Sequence, residues 1–128
     1  RPSARYPTPR ATVCVWALAA DTEDEARRLL KTREHWRVGF ERGERKQLVT
    51  PEYAEAYSYD AAARGVIEAL RRKAIAGTAE TVASRLRDVA RELDLDELVV
   101  VTWTHDAAAR HRSYELLAQA FDLSKCLA

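Results

Sequence analysis

The chain has 128 residues, 47% of them hydrophobic and 32% charged, with 21 Lys and Arg against 20 Asp and Glu for a formal net charge of +1. This is the size and balance of one ordinary globular domain; four glycines and four prolines exclude a collagen-like or linker-like polymer, and the apolar content excludes a disordered chain of this charge. Near-neutrality gives no general attraction to nucleic acid or anionic lipid, and no stretch reaches the ~18 to 20 apolar residues of a membrane span.

Thr12 to Ala20 (TVCVWALAA) is apolar almost throughout and lies between Pro9 and Asp21, which predicts a strand buried on both faces, as in parallel sheets. Thr22 with Glu25 makes a capping box that opens an amphipathic helix, with Ala26, Leu29, Leu30, Trp36 or Arg37, and Phe40 on its apolar side. Gly43 to Tyr59 loses this periodicity. It reads as a loop with a short helical piece after Pro51, an excursion long enough either to cover a site or to be a variable surface segment.

A second helical pattern runs from about Asp60 to Lys73, with Val66, Ile67 and Leu70 as its apolar side. Ala74 to Ala76 predicts a very short strand that stops at Gly77. Thr78 then caps a helix with Val82, Leu86, Val89, Ala90 and Leu93 at core spacing. Asp94 to Asp96 breaks that helix. Leu98 to Trp103 (LVVVTW), a β-branched run without alternation, predicts a central, buried strand. Asp106 caps a last helix whose buried stripe is Tyr114, Leu117, Ala118 and Phe121.

Alternating β-α units of this kind build parallel sheets, and ligands bind beyond the carboxyl ends of the strands. Those ends are Ala19 to Asp21, Ala76 to Thr78, and Trp103 to Asp106. Among them His105 is the histidine best placed for acid-base work, whereas His35 and His111 read as solvated or lightly packed side chains on helix faces. Gly77-Thr78 opening a helix can bind an anion on free N–H groups, though the same pair also makes an ordinary strand-to-helix turn. Trp103, near its strand's carboxyl end, suits either a pocket or the core, and Trp16 suits the core. The cluster Arg71, Arg72 and Lys73 fits a helix carboxyl terminus as well as a phosphate role.

No GxGxxG, P-loop or GxSxG motif is present. Cys14 and Cys126 have no CxxC partner or histidine set, so neither a disulfide scaffold nor a zinc site is expected; Cys14 reads as a small buried hydrophobe. The expected compartment is the cytoplasm. Arg1 to Arg10 has no signal-peptide core, and the absence of any methionine fits a processed, trimmed or partial polypeptide.

Three phrases together resemble one family. IAGTAETVASRLRDVARELDLDELVVVTWTHD (Ile75 to Asp106), ARHRSYELLAQAF (Ala109 to Phe121) and VCVWALAADTEDEARRLL (Val13 to Leu30), with FERGE at Phe40 to Glu44, are similar in colinear order to the carboxyl-terminal part of luciferase-like flavin-dependent monooxygenases. One departure is Ala79, where the family usually has proline in the first helical turn.

The resemblance implies α/β architecture corresponding to the last three units of a (β/α)8 barrel of ~250 residues, so that residues 1–128 form a single partial domain. It also implies an oxidoreductase using reduced flavin (FMN, or alternatively a deazaflavin) and O2 to oxygenate a small organic substrate. Trp103, Thr104, His105, Gly77 and Thr78 would rim the pocket, with no catalytic residue assigned and no metal. Arg110 and Arg112 match the closing helix and suggest structural ion pairs, for example with Glu97 or Glu115. The expected partners are the remaining amino-terminal portion of the barrel or a second copy, joined through Thr12 to Ala20 and Leu98 to Trp103, and a flavin reductase. The competing expectation is a catalytically incompetent relative acting as a binding or subunit-like module.

Overall fold

The computed structural model describes residues 8, 10–45 and 47–123. Cys126, Pro9 and most of the Arg1 to Arg10 segment lie outside the described residues. The elements run β1 (Thr12–Ala20), α1 (Glu23–Glu41), α2 (Pro51–Ala56), α3 (Ala61–Lys73), β2 (Ile75–Thr78), α4 (Ala79–Glu92), β3 (Glu97–Val101) and α5 (Ala107–Ala120). Each long helix begins where a short polar side chain can accept a free backbone N–H: Thr22 from Glu25, Asp60 from Ala63, Thr78 from Thr81, and Asp106 from Ala108. At the end of α4, Asp94 takes a left-handed φ of 49° and Leu95 N–H donates to Ala90 O, which stops the helix where the Asp94 to Asp96 cluster predicts.

The three strands are parallel in the order β2-β1-β3. The carboxyl half of β1 pairs with β2, from Ala17↔Ile75 to Ala20↔Thr78. Its amino half pairs with β3, from Thr12↔Glu97 to Trp16↔Val101. Alternation along β1 sorts its side chains onto two faces. Trp16, Leu18 and Ala20 pack with Ala26, Leu29 and Leu30 of α1, while Ala17 and Ala19 pack with Val82 and Leu86 of α4 and Leu117 of α5. Helices therefore cover both faces of the sheet.

This arrangement corrects several expectations. Three successive barrel units would place β2 in the middle and put their helices on one face; here β1 is in the middle and the helices are on both, the pattern of a doubly wound sheet. β3, read as central and buried, has a single strand neighbour and alternates, with Val99 and Val101 exposed, because β1 has taken the central place. Only the second half of β1 is buried on both faces; Cys14 is exposed, since its strand partner is the exposed Val99. β2 continues through Gly77 to Thr78 rather than stopping at Ala76. Phe40, Leu93 and Tyr114, placed on core stripes by spacing, are exposed at or near helix ends or a sheet edge.

The Gly43 to Tyr59 excursion lies along α1. Arg28 pairs with Glu52 and Lys31 with Glu55, Thr32 Oγ1 donates to Val49 O at 3.0 Å, and His35 Nδ1 meets the Tyr59 hydroxyl at 3.1 Å. These contacts hold it against a helix flank instead of over the strand ends. His35, expected on a polar face, sits among the rings of Tyr53, Tyr57 and Tyr59.

Candidate functional site

In a doubly wound sheet the crevice for a ligand opens beyond the carboxyl ends of the strands where the winding reverses. With the order β2-β1-β3, that point lies between β1 and β3. The ladder between these strands ends at Trp16↔Val101, yet β1 continues for four residues. Side chains complete its backbone pairing there. The Thr102 hydroxyl donates to Ala17 O at 2.6 Å, and Ala19 N–H donates to the fully buried Ser113 Oγ at 2.9 Å. The Tyr114 hydroxyl accepts from Thr102 N–H at 2.8 Å and donates to Thr102 O at 3.3 Å. Thus α5 fixes the end of β3 through two adjacent side chains.

Thr104 follows in this segment. It is only 8% exposed, and its Oγ1 is the one buried side-chain polar atom without a hydrogen-bond partner among the described residues. A buried hydroxyl left unpaired costs ~1 to 3 kcal/mol, so Thr104 Oγ1 has unused capacity to bond a partner. Trp103 is half-buried; its carbonyl accepts from Trp16 Nε1 at 3.4 Å and its ring meets the edge of Trp36 at 4.9 Å between centroids. On the outer side of β3, Trp103 joins Arg110, His111 and Tyr114 in lining an open groove of about 670 Å³. His105 is exposed just before the α5 cap.

At the end of β1, Arg112 reaches across from α5 to bind both Asp21 oxygens, its closest approach being 2.7 Å, and also meets Glu115 at 3.3 Å. The guanidinium lowers the Asp21 pKa below the ordinary carboxylate value through hydrogen bonding. The expected ion pairing of Arg112 with Glu115 is therefore present, with Asp21 as a second partner; Arg110 pairs with neither Glu97 nor Glu115 among the described residues.

Gly77 and Thr78 lie on the other side of β1, and no hydrogen bond joins them to Trp103, Thr104 or His105. The anion position they offer is filled from within. Glu23 Oε1 accepts from Thr78 N–H and from the Thr81 hydroxyl, both at 3.0 Å, and a Cβ on Gly77 would come within 2.8 Å of the same oxygen. The five expected rim residues thus divide into a segment after β3, where Trp103 lines a groove, Thr104 is buried and His105 is exposed, and a closed turn at Gly77 and Thr78.

Sequence reasoning missed Ser113, the Tyr114 hydroxyl and Glu23 as organisers of these ends. It also missed Arg33, whose guanidinium lies 4.0 Å from the Trp16 ring centroid and 5.5 Å from that of Trp103. A signal existed: Arg33 falls four residues after Leu29 and three after Leu30, on the buried stripe of α1. Among the described residues no group of His, Cys, Asp and Glu is arranged to hold a metal, and no helix is long and apolar enough to cross a membrane.

No family model matches the chain. It is 33% identical over 117 residues to the luciferase-like monooxygenase of Escherichia coli (strain K12), covering 91% of this chain and 35% of that protein. The chain is similar to luciferase-like monooxygenases. It is also 30% identical over 121 residues to the uncharacterized protein YceB of Bacillus subtilis (strain 168), covering 94% of this chain and 37% of that one. Among solved structures, apo-MsnO8 superposes with a TM-score of 0.80 at 27% identity, over 96% of this chain and 38% of that chain. The chain thus spans little more than a third of the length of these relatives, and the α/β arrangement with its parallel sheet is shared with a solved neighbour.

Proposed function

We propose that these residues are the carboxyl-terminal part of a flavin-dependent monooxygenase that oxygenates a small organic substrate. The observation that carries this reading is the match to the luciferase-like monooxygenase along 91% of the chain. The segment after β3 supports it, because Trp103 lines an open groove and the next residue, Thr104, carries a buried hydroxyl with unused hydrogen-bonding capacity. When bound, reduced flavin supplies the electrons that activate O2. This chain's own contribution is positional. Thr104 offers one donor and one acceptor to a ring edge, Trp103 gives an apolar surface that excludes water, and the Asp21–Arg112 pair together with Ser113 holds α5 against β1 so that both stay in place.

The uncovered sheet surface fits a place within a longer polypeptide. Cys14, Val99 and Val101 are exposed on one face, and the outer edge of β3 has no strand beside it among the described residues. In this reading the remainder of the chain packs there; a second copy is the alternative that molecular mass in solution distinguishes.

The deciding test is anaerobic titration of the purified protein with reduced FMN and, separately, with a reduced deazaflavin, followed by O2 consumption coupled to a flavin reductase. Saturable binding of one of them, weakened about five- to tenfold by Thr104→Val for loss of one buried hydrogen bond, is expected. Binding of neither would leave the module reading in its place.

A further inference from the structure

Beside the amino half of β1 a groove of about 500 Å³ is lined by residues of α1, α3 and the start of β2 and by members of both core clusters. Its walls are apolar, formed by Val15, Val66, Leu70 and Ile75 with the Trp16 indole at one end. Arg33, Arg37 and Lys73 stand over it. Arg37 is paired with Glu41, which also lines the groove, but neither Arg33 nor Lys73 has an ion-pair partner among the described residues. Arg33 is the unusual member. It is half-buried against two indoles, and burial, reinforced by the nearby Arg37 charge, lowers its pKa to about 10, so it remains a cation at neutral pH.

Elsewhere the fold supplies a carboxylate to a cation in such a setting, as Glu34 does for Arg71 through bonds of 2.6 and 2.8 Å. A half-buried guanidinium held only by ring faces keeps its in-plane N–H groups free for a planar anion. The groove that continues from it is apolar and within the size range of small-molecule sites.

From this geometry we infer that the groove binds a small organic anion with an aliphatic body, its carboxylate-like head on Arg33 and its chain along Val15, Val66, Leu70 and Ile75. The Glu41 carboxylate at the rim selects against ligands with a second negative charge far from the head. The site shares no lining residue with the groove beside β3, meets the Trp103 segment through Arg33 and Trp16, and requires no flavin.

The test uses octanoate as the probe, read by calorimetry and tryptophan fluorescence on the purified protein, with octan-1-ol and acetate as controls. Octanoate is expected to bind at one site per chain, with octan-1-ol and acetate each at least about tenfold weaker, because head and body are both recognised. Arg33→Gln should weaken octanoate about tenfold while Thr104→Val leaves it unchanged. Val66→Glu, which puts a like charge in the groove without touching Arg33, should abolish binding and serves should Arg33→Gln fail to fold. Equal affinity for octan-1-ol, full binding by Val66→Glu, or no octanoate binding at all would each overturn the inference.

Discussion

Glu23 Oε1 lies 3.0 Å from Thr78 N, so the first residue of α1 closes the amino terminus of α4 with its own carboxylate. A helix start offers free N–H groups and a positive dipole end, which is why Gly77-Thr78 reads as an anion site in the sequence. The anion is supplied by the chain 55 residues earlier. The Thr78 N–H and Thr81 hydroxyl hold the Glu23 pKa below the ordinary glutamate value, Thr78 having the larger effect. A lowered carboxylate pKa contributes stability above the unfolded pKa and loses it as pH falls through the folded one. Glu23→Gln should therefore melt below the parent near neutral pH, and the gap should close as pH is lowered through the glutamate range. A gap that stays constant in acid would show that the charge is not what holds the two elements.

Much of the fold was legible because its signals are local. Thr22, Thr78 and Asp106 cap the helices they were expected to cap, since a short polar side chain before an apolar-periodic run has few other uses. Strand order was not legible. LVVVTW and TVCVWALAA both lack alternation, and composition cannot say which of two apolar runs takes the middle; that depends on which has partners on both sides. Trp103 and Thr104 were singled out from their place after a strand, and they do follow β3. Ser113 was not, because a serine on a helix looks solvated until the unpaired Ala19 N–H opposite it is known. Glu34 lay in view at Ala26, Leu30, Glu34, Val38, one face at steps of four, where a carboxylate signals a buried pair.

That pair should be asymmetric under mutation. Glu34 is 4% exposed and receives two hydrogen bonds from Arg71, whose pKa is raised mainly by that contact. Removing one partner from a buried pair costs ~3 to 5 kcal/mol, and the partial exposure of Arg71 reduces this to about 2 to 3 kcal/mol for Arg71→Ala. Replacing both residues by methionine should recover most of the loss, because no buried charge is left behind. Urea unfolding of the single and double variants checks this; a double variant as unstable as Arg71→Ala would show that packing, and not the unpaired carboxylate, dominates.

Tyr59 predicts a reversal in alkali. Its hydroxyl donates to Ala54 O at 3.0 Å, and burial together with the Glu34 charge raises its pKa to about 12 from the ordinary 10.0. For a raised acid pKa the stability is complete below the unfolded value and is lost as pH rises through the folded one. Near neutral pH Tyr59→Phe should cost about 1 kcal/mol for the hydrogen bond. Between about pH 10 and about pH 12 the parent alone should lose stability from this residue, about 1 to 2 kcal/mol once screening of this half-buried group is allowed for, so the two curves should converge and cross. Parallel curves across that window would refute the assignment.

Ser113 tests whether the crevice is held open by α5. Its Oγ, fully buried, accepts from Ala19 N–H where β3 no longer provides a ladder partner. In Ser113→Ala this N–H is left unpaired with no room for bulk water, and an unsatisfied buried donor costs ~1 to 3 kcal/mol. The loss should appear as a lower urea midpoint with an unchanged slope, since one bond is removed and no surface is newly exposed in either state. Thr102→Val removes the neighbouring bond to Ala17 O and should add non-independently, because both bonds hold the same segment of β1. Hydrogen exchange locates the effect: the Ala19 amide should exchange faster in Ser113→Ala while the Val82 and Leu86 amides in α4 keep their protection relative to global stability. Faster exchange spread evenly over β1, α4 and α5 would mean that Ser113 supports the whole core and not this end of it.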